Sequence, residues 1–192
     1  MSRQYWSETL TWATAAGTAI ASTAVETILF PNVTIPANFL QDGRVLRLRA
    51  FGAYGTTGTP SLRFYVRWGG VAGTVLAAQA VNVTTSGVGS GASMTAPWDL
   101  EVFIQVRSNG SSGTLMTNGT STLYTSTLLT AGTVTNYGQV APIVSGATGG
   151  TTPVAVTVDL TADTALSLTA LWGTANSANS IRGDIYTIEA LN

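Results

Sequence analysis

Between Trp98 and Arg107 the side chains alternate in character. Trp98, Leu100, Val102, Ile104 and Val106 are large and apolar; Asp99, Glu101, Phe103, Gln105 and Arg107 are mostly polar. A period of two puts the first set on one face and the second on the other, which is the pattern of a strand half in a core. A helix would scatter the same apolar residues around its circumference. Pro97 opens the run, and Ser108-Asn109-Gly110-Ser111-Ser112-Gly113 closes it with turn residues.

The same alternation recurs along the chain. Val25 to Ala37 reads as a strand bent at Pro31 and ended by Pro36. In Arg44 to Tyr54, Leu46, Leu48 and Ala50 point one way and Arg47 and Arg49 the other. In Leu62 to Trp68, Leu62, Phe64, Val66 and Trp68 point inward and Arg63, Tyr65 and Arg67 outward. Thr74 to Val83 is a weaker strand, followed by a low-complexity loop over Thr84 to Thr95. Thr114 to Thr125 is strand material, either continuous with a kink or a hairpin about Asn118-Gly119. Leu128 to Gly150 has no readable period. Val154, Val156, Val158 and Leu160 alternate as an inward set, and Asp163 opens a strand with Leu166, Leu168 and Trp172 inward. Ile181 to Leu191 is the last strand.

Eight or more strands joined by Gly/Thr/Ser turns, with no amphipathic helix, predict an all-β fold: an antiparallel two-sheet β-sandwich, jelly-roll-like. Residues 25–192 form one domain of this kind. Residues 1–24 differ: Tyr5, Trp6, Leu10 and Trp12 crowd the start, and small residues follow. This segment is either a terminal edge strand or an arm whose aromatic side chains dock on a neighbour.

Composition narrows the function. Only 9% of the 192 residues are charged, against roughly 25% in an average domain. So little surface charge gives little repulsion against association. All eight basic residues are Arg, the cation best suited to forked hydrogen bonds at interfaces. The net charge of −1 gives no long-range pull toward nucleic acid. The absence of Cys and His excludes disulfides, thiol nucleophiles and His-based triads and zinc sites. No apolar run approaches the ~18 residues of a membrane span. Ala13 to Ala24, interrupted by Thr, Gly and Ser, does not read as a signal segment.

Few residues suggest chemistry. Asp99 and Glu101 share a strand face, as a general acid and base would, but cross-strand pairing with Arg is the plainer role. Asp159 and Asp163 flank a turn; two Asp without a denser acidic cluster are turn formers before they are calcium ligands. Arg182-Gly183-Asp184 matches an adhesive tripeptide but starts a strand rather than tipping a loop, so it is read as accidental. Sequons at Asn32, Asn82, Asn109 and Asn118 follow from a chain rich in Asn, Thr and Ser. Arg47, Arg49, Arg63 and Arg67 make one patch if their strands are neighbours. That patch would serve protein carboxylates, sugar or phosphate, unless intrachain carboxylates such as Asp99, Glu101 and Glu189 neutralise it. No cofactor, metal site or catalytic residue is expected, and the chain does not read as an enzyme.

The blocks ETILFPNVTIPANFLQDGRVLRLRAFGAY, GTPSLRFYVRWGG, WDLEVFIQVRSNGSSGT and VTVDLTADTALSLTALWGTANSANSIRGDIYTIEAL follow one another over about residues 25 to 191. In this order they resemble small jelly-roll virion proteins of tailed bacteriophages. Asp42-Gly43-Arg44 stands where that pattern has Gly-Asp, and residues before 24 are not covered. The shared motifs are turns and alternating strands, not catalytic groups. The resemblance implies a virion protein made in the bacterial host cytoplasm, a homotrimer acting as capsid cement or decoration on the outer capsid surface. The major capsid protein or other virion proteins would be its partners, with neither nucleic acid nor membrane. A tail-fibre, spike or head-fibre domain holding host receptor glycan is the alternative. The interface candidates are Tyr5, Trp6, Trp12, Arg47, Arg49, Arg63 and Arg67.

Overall fold

The fold is that of a computed structural model, which describes residues 7–56, 60–79, 83–84, 94, 96–124, 139–146 and 152–191. Among these residues every regular element is a strand. In chain order they are β1 (Ser7–Trp12), β2 (Ile20–Ala21), β3 (Thr27–Ile28), β4 (Val33–Ile35), β5 (Val45–Gly55), β6 (Ser61–Trp68) and β7 (Thr74–Gln79). There follow β8 (Val83–Thr84), β9 (Ala96–Ser108), β10 (Gly113–Leu123), β11 (Gln139–Ser145), β12 (Val156–Val158), β13 (Thr164–Trp172) and β14 (Ser180–Leu191).

All the strand pairs are antiparallel, and they form one hydrogen-bonded path, β1-β14-β5-β9-β10-β11-β7-β6-β13-β3. The ladder does not divide into two separate sheets, because β11 pairs with β10 on one edge and β7 on the other. Beyond β11 the path folds back on itself. The Phe64 ring on β6 lies 4.9 Å from the Trp98 ring on β9, although four pairings separate those strands. The buried Gln79 Nε2 likewise donates across to Ser121 Oγ at 2.6 Å.

The alternation in β9 dictates which face is enclosed. Trp98, Leu100, Val102, Ile104 and Val106 are each no more than 1% exposed. They meet Leu46, Leu48 and Ala50 of β5, Leu62, Phe64 and Val66 of β6, and Leu166 and Leu168 of β13 in one core cluster. The expected inward sets of β5, β6, β9 and β13 therefore all face inward.

Elsewhere the expectations need correction. Asn118-Gly119 makes no hairpin: β10 runs straight through it, with Gly119 opposite Val102. A Cβ on Gly119 would fall 2.2 Å from the Glu101 carbonyl oxygen, so glycine there permits a close strand approach rather than a turn. Val154 is exposed, not inward; its N–H bonds the Ser145 carbonyl ahead of a strand that spans only Val156–Val158. β7 is described only to Gln79, and Ala80 to Asn82 lie outside the described residues. The unreadable stretch holds β11, an element that the sequence did not announce.

Residues 7–32 run along both ends of the path. β1 and β2 pair with β14, while β3 pairs with β13. Leu10, Ala13 and Ile20 pack on the core.

Candidate contact surface

The four arginines do not form one patch. Arg47 and Arg49 stand on β5, which pairs with β14 and β9; Arg63 and Arg67 stand on β6, which pairs with β7, β8 and β13. The sequence places them on successive strands, but sequence order here is not spatial order. Each pair is engaged within the chain. Arg47 Nε donates to Glu189 Oε2 at 2.8 Å, and Arg49 Nε lies 3.4 Å from Glu101 Oε1. Arg63 Nε and Nη2 donate to the Gln79 carbonyl at 3.2 and 2.9 Å. Arg67 forks onto Glu26, with Nε and Nη2 each at 2.5 Å from a carboxylate oxygen. Both guanidinium groups of β6 lie 5.4 Å from the Tyr65 ring centre, one on either side in sequence. Arg63 and Arg67 thus hold the β6 face together.

The outer face of β1, β14, β5, β9, β10 and β11 is different. Antiparallel partners share a face, so the register lays out its rows. Ile185, Phe51, Asp99, Thr122 and Val140 stand in one row across five strands. Trp12, Thr187, Arg49, Glu101, Thr120 and Pro142 stand in the next. Glu189, Arg47, Phe103 and Asn118 follow in a third. Six large apolar side chains are exposed among the described residues, and four of them, Trp12, Phe103, Val140 and Ile185, lie on this face. Trp12 is 62% and Val140 67% exposed.

Ile185 reaches this face because of a local irregularity. The ladder between β14 and β5 shifts at Gly183–Ile185, a bulge that resets the alternation, so Tyr186, Ile188 and Ala190 point inward and Ile185 outward. Arg182-Gly183-Asp184 is therefore a strand bulge. Arg182 Nε donates to Asp184 Oδ1 at 2.6 Å, and the buried Gly183 lies under the Phe30 ring.

Two shallow depressions adjoin on the face. One, of about 360 Å³, is lined by Glu101, Phe103, Asn118, Gly119 and Thr120. The other, of about 160 Å³, is lined by Arg49, Phe51, Asp99, Leu100, Glu101 and Thr120. Asp99 is engaged by a neighbour: Tyr124 donates to its Oδ2 at 2.7 Å, and that bond pushes the tyrosine's own pKa upward. Away from the face, Asp159 accepts from the Thr161 hydroxyl and N–H, which hold its carboxyl below the usual range. Asp163 accepts from the Ala37 N–H at 2.8 Å. Asp159 therefore shapes its own turn, whereas Asp163 ties the chain after β4 to the start of β13. Of the aromatic residues expected at an interface, Trp12 stands on β1, and Tyr5 and Trp6 lie outside the described residues.

No family model matches the chain. No curated protein matches it either. Among solved structures it is similar to the CBM2 module of the evolved Dit of Lactobacillus casei BL23 phage J-1, at 11% identity. That overlay spans 99% of this chain and 98% of the module with a TM-score of 0.40, too loose to carry a reading of function.

Proposed function

We propose that this chain is a structural protein of a tailed-bacteriophage particle, a capsid cement or decoration protein that binds the outer capsid surface as a homo-oligomer. The observation that carries this reading is the outer face just described. Four of the six large apolar side chains exposed among the described residues lie on this one face, which supports reading it as the side that meets another protein. The order of sequence blocks resembling jelly-roll virion proteins supplies the setting, and the folded-over antiparallel ladder is read as that jelly roll. The scarcity of charge fits a surface that spends its life covered.

The mechanism is additive. One interface of ordinary size, repeated on every subunit of a shell, turns modest affinity per copy into a strong brace. No step of this function makes or breaks a covalent bond, so no enzyme activity or cofactor is invoked.

A second reading has its own observation. Depressions lined by Phe51, Phe103, Arg49, Asp99 and Glu101 combine aromatic rings with carboxylates and a guanidinium, the groups that hold a sugar ring. That arrangement favours a fibre or spike domain gripping host glycan. Counting copies per purified particle by quantitative gel separates the two. Cement gives a stoichiometry matching the capsid lattice. A handful of copies refutes cement and favours the fibre.

A further inference from the structure

We propose that Asn109 is a site of spontaneous deamidation, and that the fold shields the chain's other Asn-Gly step, at Asn118, from the same reaction. The reaction belongs to the free chain and does not depend on what its outer face meets.

The chemistry is that of an asparagine followed by glycine. The Gly110 backbone nitrogen attacks the side-chain amide carbon of Asn109. A bond forms between that nitrogen and Cγ, the Cγ–Nδ2 bond breaks, and ammonia leaves with the proton that the Gly110 nitrogen gives up. Water then opens the resulting succinimide ring at either of its carbonyls. One opening leaves aspartate. The other leaves isoaspartate, with the main chain routed through the former side chain. The net change is the gain of water and the loss of ammonia, and it needs no oxidant, reductant or enzyme. Glycine favours the attack, because no Cβ crowds its nitrogen and its backbone turns freely.

Sequence does not separate the two sites. Asn109-Gly110 and Asn118-Gly119 are the two Asn-Gly steps of the chain, and both asparagine side chains are exposed. The backbone separates them. Gly110 lies in the turn between β9 and β10 at a φ of +100°, and its N–H donates to no group among the described residues. Gly119 lies inside β10, opposite Val102 of β9 and Ile143 of β11. The N–H groups of a strand paired on both sides are held in the ladder. Ring closure at Asn118 would also need the main chain to rotate, and a Cβ on Gly119 would already fall 2.2 Å from the Glu101 carbonyl oxygen. Attack at Asn118 therefore waits on local opening of a central strand, and attack at Asn109 does not.

The product alters a junction of turns. The Asn109 N–H donates to Asp42 Oδ1 at 2.7 Å, and its Nδ2 donates to Gln41 Oε1 at 3.0 Å. The Gly110 carbonyl accepts from the Leu160 N–H at 3.0 Å. A carboxylate at position 109 loses the donor to Gln41 and stands beside Asp42. Isoaspartate also lengthens the main chain at the point where these turns meet.

The test holds the full chain folded in mildly alkaline buffer for days and follows each asparagine by peptide mass mapping. In the folded chain Asn109 is expected to convert about tenfold faster than Asn118 or more, since opening must precede attack at the latter. In urea the two are expected to convert at similar rates. The converted peptide is expected as two isomers of equal mass, aspartate and isoaspartate. Equal rates in the folded chain overturn the inference. So does an Asn109 that stays intact in the folded chain while converting in urea, and so does a product that is aspartate alone.

Discussion

Glu26 fastens the segment before β3 over the β6 and β13 face, and Glu26→Ala tests how much that fastening contributes. The carboxylate accepts both forks of Arg67 and the Thr169 hydroxyl. The two side chains of the ion pair are only 13% and 16% exposed. Truncating Glu26 leaves Arg67 with the Gly73 carbonyl, 2.8 Å from Nη1, as its remaining close acceptor. Breaking a buried ion pair from one side costs about 3–5 kcal/mol, because the surviving charge stays desolvated. Partial exposure and the retained carbonyl put this case at the lower end, about 3 kcal/mol. For a chain of this length that corresponds to a fall in Tm of about 6–12 °C. Urea unfolding is the assay, with an unchanged slope showing that stability alone has moved. Replacing both partners, Glu26→Leu with Arg67→Met, is expected to recover part of the loss: no desolvated charge remains, but the buried Thr169 hydroxyl loses its acceptor. A Glu26→Ala variant within about 0.5 kcal/mol of the parent, the range of an ordinary surface substitution, refutes the reasoning.

Two further outcomes follow from burial. Tyr54 is pushed by burial from 10.0 up to about 12, and Tyr186 is pushed up by the same cause. The unfolded chain therefore sheds phenolic protons above pH 10 that the folded chain retains. Their stabilising contribution is complete below pH 10 and falls by about 1.4 kcal/mol per pH unit for each tyrosine as pH rises toward 12. Unfolding free energies measured from pH 8 to 11.5 should show that decline, and a flat profile contradicts it. Gly183→Ala should destabilise by about 1–3 kcal/mol through overpacking, because its Cβ would fall 2.1 Å from Phe30 Cζ and displace the ring stacked 4.5 Å from Tyr186. An unchanged near-ultraviolet spectrum and urea midpoint would show that the Phe30 ring moves aside freely.

The strands most legible in the sequence were those with one face sealed and the other near solvent. β9 shows this best: burial of alternate residues leaves a period of two that nothing local disturbs. Legibility failed wherever a neighbour, not the strand itself, decided the outcome. β11 carries Pro142 and exposed Gln139 and Val140, and its place is fixed by β10 and β7 on either side. Gly119 has the composition of a turn, yet it serves a close crossing with the Glu101 backbone. The candidate surface was half visible. Phe103 stood out as an apolar residue off the inward phase, Trp12 as one of the aromatic residues crowding the start of the chain, and Arg47 and Arg49 as an outward set. Ile185 needed the bulge at Gly183, and Val140 needed the register of a strand with no periodic signal. The grouping of four arginines failed for a topological reason: β5 and β6 follow one another in the chain but stand far apart along the ladder.

That separation bears on how the protein recognises anything. Arg47, Arg49, Arg67 and Arg182 are each committed to a carboxylate of the same chain, and Arg63 and Arg44 to backbone carbonyls. Arginine's forked geometry is thus used mainly to tie strands and turns to one another, not to reach outward. Ion pairs closed internally contribute little long-range steering. Association must then draw on apolar area, which is non-directional and grows with the surface covered. Directionality has to come from the pleat: Ile185, Trp12 and Phe103 stand in three successive rows of the sheet, at fixed strand and row spacings that a complementary surface must match.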